Sequence, residues 1–204
     1  MAVTATIRDD FKDNSLSAGI WTLPAWGGAP IAENNNQLEI TSTLASGYYG
    51  IDTPLSHNLT GSYAFGKSNG ATNETLASFE MYPIIVNADN TGNNQMFWLL
   101  SPQPGTVRAF KKVAGVSTQV GSTLSYSTYG RGYFRVRENG SGITYWDYSD
   151  AQGRGLSWIN LWSEANPLTI TTVKLGFMQG TFAAEAATSV AQFGGLNFVT
   201  RKIR

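Results

Sequence analysis

Residues 131–150, RGYFRVRENGSGITYWDYSD, constrain the fold more than any other stretch of this chain. Polar and apolar side chains alternate over 133–137, which is the period of two expected of a strand with unlike faces. The run 139–142, Asn-Gly-Ser-Gly, tolerates positive φ and allows a tight reversal, after which alternation resumes. The stretch therefore predicts an antiparallel β-hairpin. Its register stays open, because a slip of one residue would move Trp146 to the opposite face.

Short apolar or alternating runs recur along the whole chain, separated by Gly, Pro and Asn breakers. Residues 182–191 alone have a helix-like composition, and without an amphipathic stripe they predict one helical turn at most. Many short strands without βαβ alternation predict an all-β fold of two packed antiparallel sheets, with residues 1–204 as one domain. Besides the hairpin, we predict strands at 3–8, 37–43, 47–51, 62–65, 76–86, 95–100, 107–113, 117–120, 158–162, 167–178 and 190–199.

Charge and composition limit the possible functions. Fourteen basic and fourteen acidic side chains cancel, so no basic excess recruits nucleic acid or anionic lipid. There is no cysteine, which excludes disulfides and thiolate metal sites. We see no apolar run long enough for membrane insertion and no secretory signal at the N-terminus, and therefore expect synthesis in the cytoplasm.

Residues 133–158 resemble concanavalin A-like jelly-roll domains related to laminin G and laminarinase, in which an Arg-x-Arg-Glu strand turns through glycines into a Tyr-Trp strand. The runs DDFKDNSL at 9–16, GYYGI at 47–51 and the closing strand 193–198 extend the resemblance over nearly the whole chain. The most similar subset occurs in actinobacterial proteins and in minor tail proteins of their phages. This resemblance implies a two-sheet antiparallel jelly-roll sandwich with almost no helix.

The resemblance also raises glycoside hydrolysis, which needs two carboxylates facing one sugar bond. Laminarinase-like hydrolases carry them as Glu-x-Asp-x-x-Glu on one strand face, and this chain has no such run. Glu80 stands alone as an acid in its strand, and Asp147 has no Glu two residues away. A carboxylate pair assembled from different strands stays open. We therefore predict no catalytic residue and no enzyme.

Metal and cofactor chemistry has little support in the sequence. His57 is the sole histidine, which leaves nucleophilic triads and multi-histidine zinc sites without ligands, and we expect it in a surface loop. Asp9, Asp10 and Asp13 could offer oxygen ligands to a structural calcium, although turn and cap roles fit their spacing better. We expect no cofactor and assign no metal site.

Glycan binding is the chemistry with positive support. Sugars bind aromatic faces through their C–H surfaces and planar polar groups through their hydroxyls. Two arginines on one face of the hairpin must meet acids, sugars or solvent. Core packing is the competing interpretation for the aromatic residues. The candidate glycan-binding residues are Trp26, Tyr48, Tyr49, Trp98, Arg135, Arg137, Trp146 and Trp162.

From the resemblance we predict a non-catalytic virion component, similar to a phage minor tail protein, that contributes to recognition of host cell-surface glycan. Its expected partners are other tail proteins and that glycan, with no nucleic acid and no membrane insertion. A homo-oligomer is expected, with a trimer as the guess. One alternative is a glycoside hydrolase or lyase acting on bacterial polysaccharide. Another is a purely architectural capsid or tail decoration protein without a ligand.

Overall fold

A computed structural model describes residues 7–22, 25, 27–28, 30–54, 57–150 and 157–200, which form fourteen β-strands and one short helix in two antiparallel sheets. The first sheet, in spatial order, contains β12 (Ile159–Ala165), β11 (Ile143–Ser149), β10 (Gly132–Glu138), β5 (Ser62–Ala71), β14 (Val190–Thr200), β3 (Gln37–Thr41) and β2 (Ile31–Asn34), with β1 (Ile7–Asp9) also beside β14. The second contains β4 (Gly47–Asp52), β13 (Lys174–Thr181), β6 (Phe79–Asn87), β7 (Gln95–Ser101), β8 (Thr106–Val113) and β9 (Val116–Ser125). The predicted all-β sandwich is confirmed.

The predicted hairpin is formed by β10 and β11, and the structure fixes its register. Arg135 lies opposite Asp147, and Val136 lies opposite Trp146. Because alternate residues point to opposite faces, Trp146 enters the core while the arginines and Asp147 lie on the outer face. Glu138 closes the hairpin by accepting backbone hydrogen bonds from 140 and 142 in the turn and from 61 in a neighbouring loop.

Aromatic side chains join the two sheets in the core. Trp98 of the second sheet packs against Phe134 and Trp162 of the first, with ring centroids 5.2 and 5.4 Å apart. Phe177 and Phe193 make a second contact between the sheets at 4.9 Å. These rings bury large apolar areas, and such burial is the main favourable term in folding.

Two local predictions need correction, and a third is largely untested. The described helix is α1 (Tyr126–Tyr129), a single turn between β9 and β10, while residues 182–189 are irregular and 190–191 belong to β14. His57 is buried, not in a surface loop: it bridges to Val173, and its Nε2 lies 3.0 Å from Oγ1 of Thr53. The predicted strand at 3–8 falls largely outside the described residues. No helix in the described part of the chain is long and apolar enough to cross a membrane.

Candidate functional site

A cleft with a volume of about 730 Å³ opens on the outer face of the second sheet, the face that points away from the core. This size is typical of ligand sites, which usually enclose about 300–1,000 Å³. Strands β4, β13, β6, β7, β8 and β9 all contribute lining residues, and the turn at 90–92 supplies part of the wall. The cleft therefore crosses all six strands of the second sheet.

A row of four aromatic rings runs from strand to strand on this face, and three of them, Tyr48, Tyr82 and Phe97, line the cleft. Tyr48 and Tyr82 have ring centroids 6.3 Å apart, Tyr82 and Phe97 5.5 Å, and Phe97 and Phe110 5.5 Å. Each ring comes from a different strand, so the row runs across the strands. Tyr48 is exposed at one end of the row. Such a row offers apolar surface to the C–H faces of successive sugars in a chain.

Polar side chains form a second row beside the aromatic one. The strand registers place Lys174 opposite Asn87, Asn87 opposite Gln95, and Gln95 opposite Lys112. All four line the cleft. Amide groups both donate and accept hydrogen bonds, and this is the requirement for binding sugar hydroxyls. The two rows together give the cleft an apolar floor and a hydrogen-bonding wall.

Glu80 lies on the same outer face and is nearly buried. Tyr82 donates a hydrogen bond of 2.7 Å from its hydroxyl to Oε2 of Glu80. Burial raises the pKa of Glu80, and the Tyr82 hydrogen bond and the charge of Arg108 offset only part of that rise. Burial also raises the pKa of Tyr82 well above its usual value, so this phenol stays protonated. A carboxyl group with a raised pKa is suited to hold and deliver a proton.

Arg108, whose charge acts on Glu80, has a buried Nε without a hydrogen-bond partner among the described residues. Nη2 of Arg108 donates to Oγ of Ser101 over 3.3 Å. An unsatisfied buried donor costs free energy until a partner reaches it. The raised pKa of Glu80, with this donor of Arg108 near it, makes the surroundings of Glu80 a candidate site of proton transfer.

If a Glu-x-Asp-x-x-Glu run is aligned on this strand with Glu80 as its first acid, the other two acidic positions are 82 and 85, and neither holds an acid. In the segment 80–85, Tyr82 stands at the middle acidic position and Ile85 at the last. The pairing of β6 with β7 shifts register between Met81 and Ile85, so that Tyr82 and Ile85 both belong to the outer cluster. The sequence alone indicates only that Glu80 is an isolated acid.

Asp52 is the other carboxylate on the described strands of this face. It lies opposite Gly176 on β13, whereas Glu80 lies opposite Gly180 on the other side of that strand. Along the strand direction, four residues separate their backbones by about 13 Å. Across the sheet, two strand spacings separate them by about 10 Å. Glycosidase carboxyl pairs lie roughly 5–10 Å apart. Asp52 instead pairs with Lys174 at 3.4 Å, and burial raises the pKa of Asp52.

The structure divides the predicted glycan-binding residues among several places. Tyr48 lines the cleft. Trp98 and Trp146 have no exposed surface, which corrects the prediction that they could line a ligand face. Tyr49 is also buried, with its hydroxyl 2.7 Å from Oγ1 of Thr43.

The remaining predicted residues lie away from the cleft or outside the description. Trp162 is half-buried against Trp98. Arg135 and Arg137 lie on the outer face of the first sheet, on the other side of the sandwich. Trp26 falls outside the described residues.

The acidic N-terminal segment shows no metal cluster in the part of the chain that the structure describes. Asp9 uses Oδ1 to accept from the backbone N–H of Phe11 and Oδ2 to accept from Nε1 of Trp21. Asp13 accepts from the backbone N–H of Ser15. These are the turn and anchoring roles expected of short acidic side chains.

Solved structures share this fold along nearly the whole chain. One, from work on human gut microbiota that express endo-acting O-glycanases to initiate mucin breakdown, has a TM-score of 0.72 over 96% of this chain and 99% of that chain, at 10% identity. The Crh5 transglycosylase has a TM-score of 0.69 over 97% and 85%, at 10% identity. SCLam, a non-specific endo-β-1,3(4)-glucanase of family GH16, has 0.69 over 98% and 94%, at 9% identity. No protein-family model matches the chain. No curated protein matches it.

These neighbours confirm the concanavalin A-like jelly-roll fold and correct the predicted function. The prediction of a non-catalytic virion component is wrong on this comparison, because proteins with this fold are named as a transglycosylase and a glucanase and are linked to O-glycanases. The prediction that the chain is not an enzyme is corrected on the same comparison. At identities near 10% the likeness shows the fold. The resemblance to phage tail proteins stays a prediction.

Proposed function

We propose that this chain is a carbohydrate-active protein that binds a polysaccharide across the outer face of the second sheet and acts on it as a glycoside hydrolase or lyase. Glu80 is the group that transfers the proton. The observation that carries the proposal is the combination of an aromatic row, a row of amides and lysines, and a nearly buried carboxyl of raised pKa on one face.

Hydrolysis and elimination both require delivery of a proton to the leaving glycosidic oxygen. In hydrolysis, Glu80 gives its proton to the leaving glycosidic oxygen, water adds to the anomeric carbon, and the proton that this water sheds passes to solvent and restores the Glu80 acid. In elimination, the Glu80 carboxylate takes the proton from the carbon beside a uronic carboxylate, the C–O bond breaks, and Glu80 returns that proton to the leaving oxygen. Glu80 therefore delivers the proton to the oxygen in either case. The described strands offer no second carboxylate at glycosidase spacing, so the partner of Glu80 in hydrolysis would be water positioned by other groups.

The test is turnover of a polysaccharide panel by the wild type and by Glu80→Gln. Release of reducing ends reports both reactions, and ultraviolet absorbance of the conjugated double bond in an unsaturated product reports elimination alone. Loss of a general acid should lower the rate about 100-fold or more while binding persists. Glu39→Gln is the matched control, because Glu39 lies on the first sheet and accepts hydrogen bonds from Gln37 and Gln192. Unchanged turnover in Glu80→Gln, or binding without any product, would overturn the proposal.

A further inference from the structure

We propose that the outer face of the first sheet holds a second binding site, at Arg137, for the carboxylate or sulfate groups of an acidic glycan. This site lies on the opposite side of the sandwich from the cleft. It therefore stands independently of the proposed function, and its test leaves the chemistry of Glu80 untouched.

The first observation is a charge imbalance in a partly buried cluster. Oδ2 of Asp147 accepts hydrogen bonds from Nε of Arg135 at 2.8 Å and from Nε of Arg137 at 2.7 Å. Oδ1 of the same carboxylate accepts from Nδ2 of Asn160 at 2.9 Å. One carboxylate thus faces two guanidinium groups, and its oxygens are already occupied. A positive charge remains that no described acid neutralises.

Burial makes this surplus charge costly. The Arg135 side chain is 13% exposed and that of Arg137 is 29% exposed. Burial lowers the pKa of Arg135, and the nearby charge of Arg137 lowers it further against the opposing effect of Asp147. A charge removed from water is stabilised when a partner of opposite sign supplies hydrogen bonds. A bound anion would neutralise the remaining positive charge of the two arginines.

Free donors identify where the anion would bind. Nε of Arg137 is the nitrogen that contacts Asp147, and its terminal nitrogens have no hydrogen-bond partner among the described residues. The guanidinium carbon lies 3.7 Å from the ring centroid of Tyr145, which holds the planar group in one orientation. A guanidinium fixed in this way presents paired N–H donors, the arrangement that carboxylate and sulfate oxygens match.

Neighbouring groups favour a glycan over other polyanions. Arg135 stacks on Trp158 at 4.0 Å and lies 5.4 Å from Tyr63, so aromatic surface adjoins the charge. Lys67 lies over Tyr133 at 5.7 Å and has no ion-pair partner among the described residues. Nucleic acid binding draws on many phosphate contacts, and a chain of zero net charge lacks them. This face has a small number of unpaired positive charges next to aromatic rings. That arrangement suits a sugar chain that carries acidic groups at intervals.

The experiment compares one backbone in three forms: dextran, carboxymethyl-dextran and dextran sulfate, by affinity electrophoresis of the full chain. We expect one or both charged forms to retard the protein and dextran to have no effect, and the two charged forms distinguish carboxylate from sulfate. Arg137→Gln should weaken that binding about five- to tenfold. It leaves Arg135 and Asp147 as a one-to-one pair, so folding should persist.

Arg131→Gln is the matched control, because it removes the same charge from the start of the same hairpin. Arg131 is 63% exposed and is already paired with Glu74 at 2.8 Å. It should change binding less than about twofold. The proposal is overturned by equal binding of neutral dextran, by equal losses in the two arginine variants, by equally tight binding of duplex DNA, or by no binding of either charged dextran.

Discussion

The substitution Asp147→Asn tests whether the hairpin depends on its buried carboxylate. Asp147 is 1% exposed and lies at the centre of a cluster formed by Arg135, Arg137 and Asn160. Asparagine keeps the shape of the side chain and removes its charge. Both guanidinium groups then remain partly buried without a counter-charge.

The magnitude follows from burial and from the number of donors. Removing one partner of a buried ion pair costs about 3–5 kcal/mol, because the other partner is left uncompensated. Both arginines keep some exposure to water, so we take the lower end and expect a loss of about 3 kcal/mol. For a chain of this length each kcal/mol lowers Tm by about 2–4 °C, which gives a decrease of about 6–12 °C.

The assay is thermal and urea unfolding followed by circular dichroism. Asp10→Asn is the control: Asp10 pairs with Arg8 and Lys12 while half-exposed, and its loss should cost less than about 0.5 kcal/mol. Adding Arg137→Gln to Asp147→Asn removes one uncompensated charge, so the double variant should lose less than the sum of the two single losses. A decrease below about 1 kcal/mol for Asp147→Asn, or strict additivity, would refute the reasoning.

Two further substitutions test the burial of Glu80 and the packing of β9 against Trp162. Because burial raises the pKa of Glu80 from its ordinary 4.5, stability from this group is complete below that value and is lost as pH rises through the folded pKa. Glu80→Gln should therefore gain stability over the wild type between pH 4.5 and 7.5, and a constant difference in Tm would contradict this. Gly121→Ala should cost more than about 2 kcal/mol, since φ is 68° and the added methyl would lie 2.0 Å from Trp162. Gly105→Ala, with φ 71° and open space around it, should show only the backbone cost of about 1 kcal/mol in the same urea titration.

The sequence predicted the hairpin because alternation and a glycine-rich turn are local signals. Its register was not predictable, since Trp146 and its neighbours alternate equally well in two alignments. The structure settles the register through Asp147, whose contacts with two arginines across the strand pair require one alignment. A contact between residues ten or more positions apart leaves no periodic trace in the chain.

The cleft was missed for a related reason. Phe97 and Trp98 are adjacent, and the sequence favours the larger ring as a ligand contact, yet strand alternation places Trp98 in the core and Phe97 on the outer face. The signal was present in the runs 79–86 and 95–100, which are apolar at nearly every position. A strand that is apolar on both faces has both faces covered. In an antiparallel sandwich this indicates an apolar floor beneath a cleft.

The two buried carboxylates on the outer faces, Asp147 and Glu80, differ in how well their surroundings stabilise the charged form. Asp147 accepts hydrogen bonds from Arg135, Arg137 and Asn160, and these contacts hold the hairpin together. Glu80 has one hydrogen bond among the described residues, from Tyr82, a pKa raised by burial, and near it the unpaired Nε of Arg108. A charged Glu80 works against folding near neutral pH, whereas an apolar residue at position 80 would remove that cost. Groups that lower the stability of the folded state in this way are concentrated at functional sites. The carboxylate that destabilises the sandwich is therefore the one assigned to the reaction.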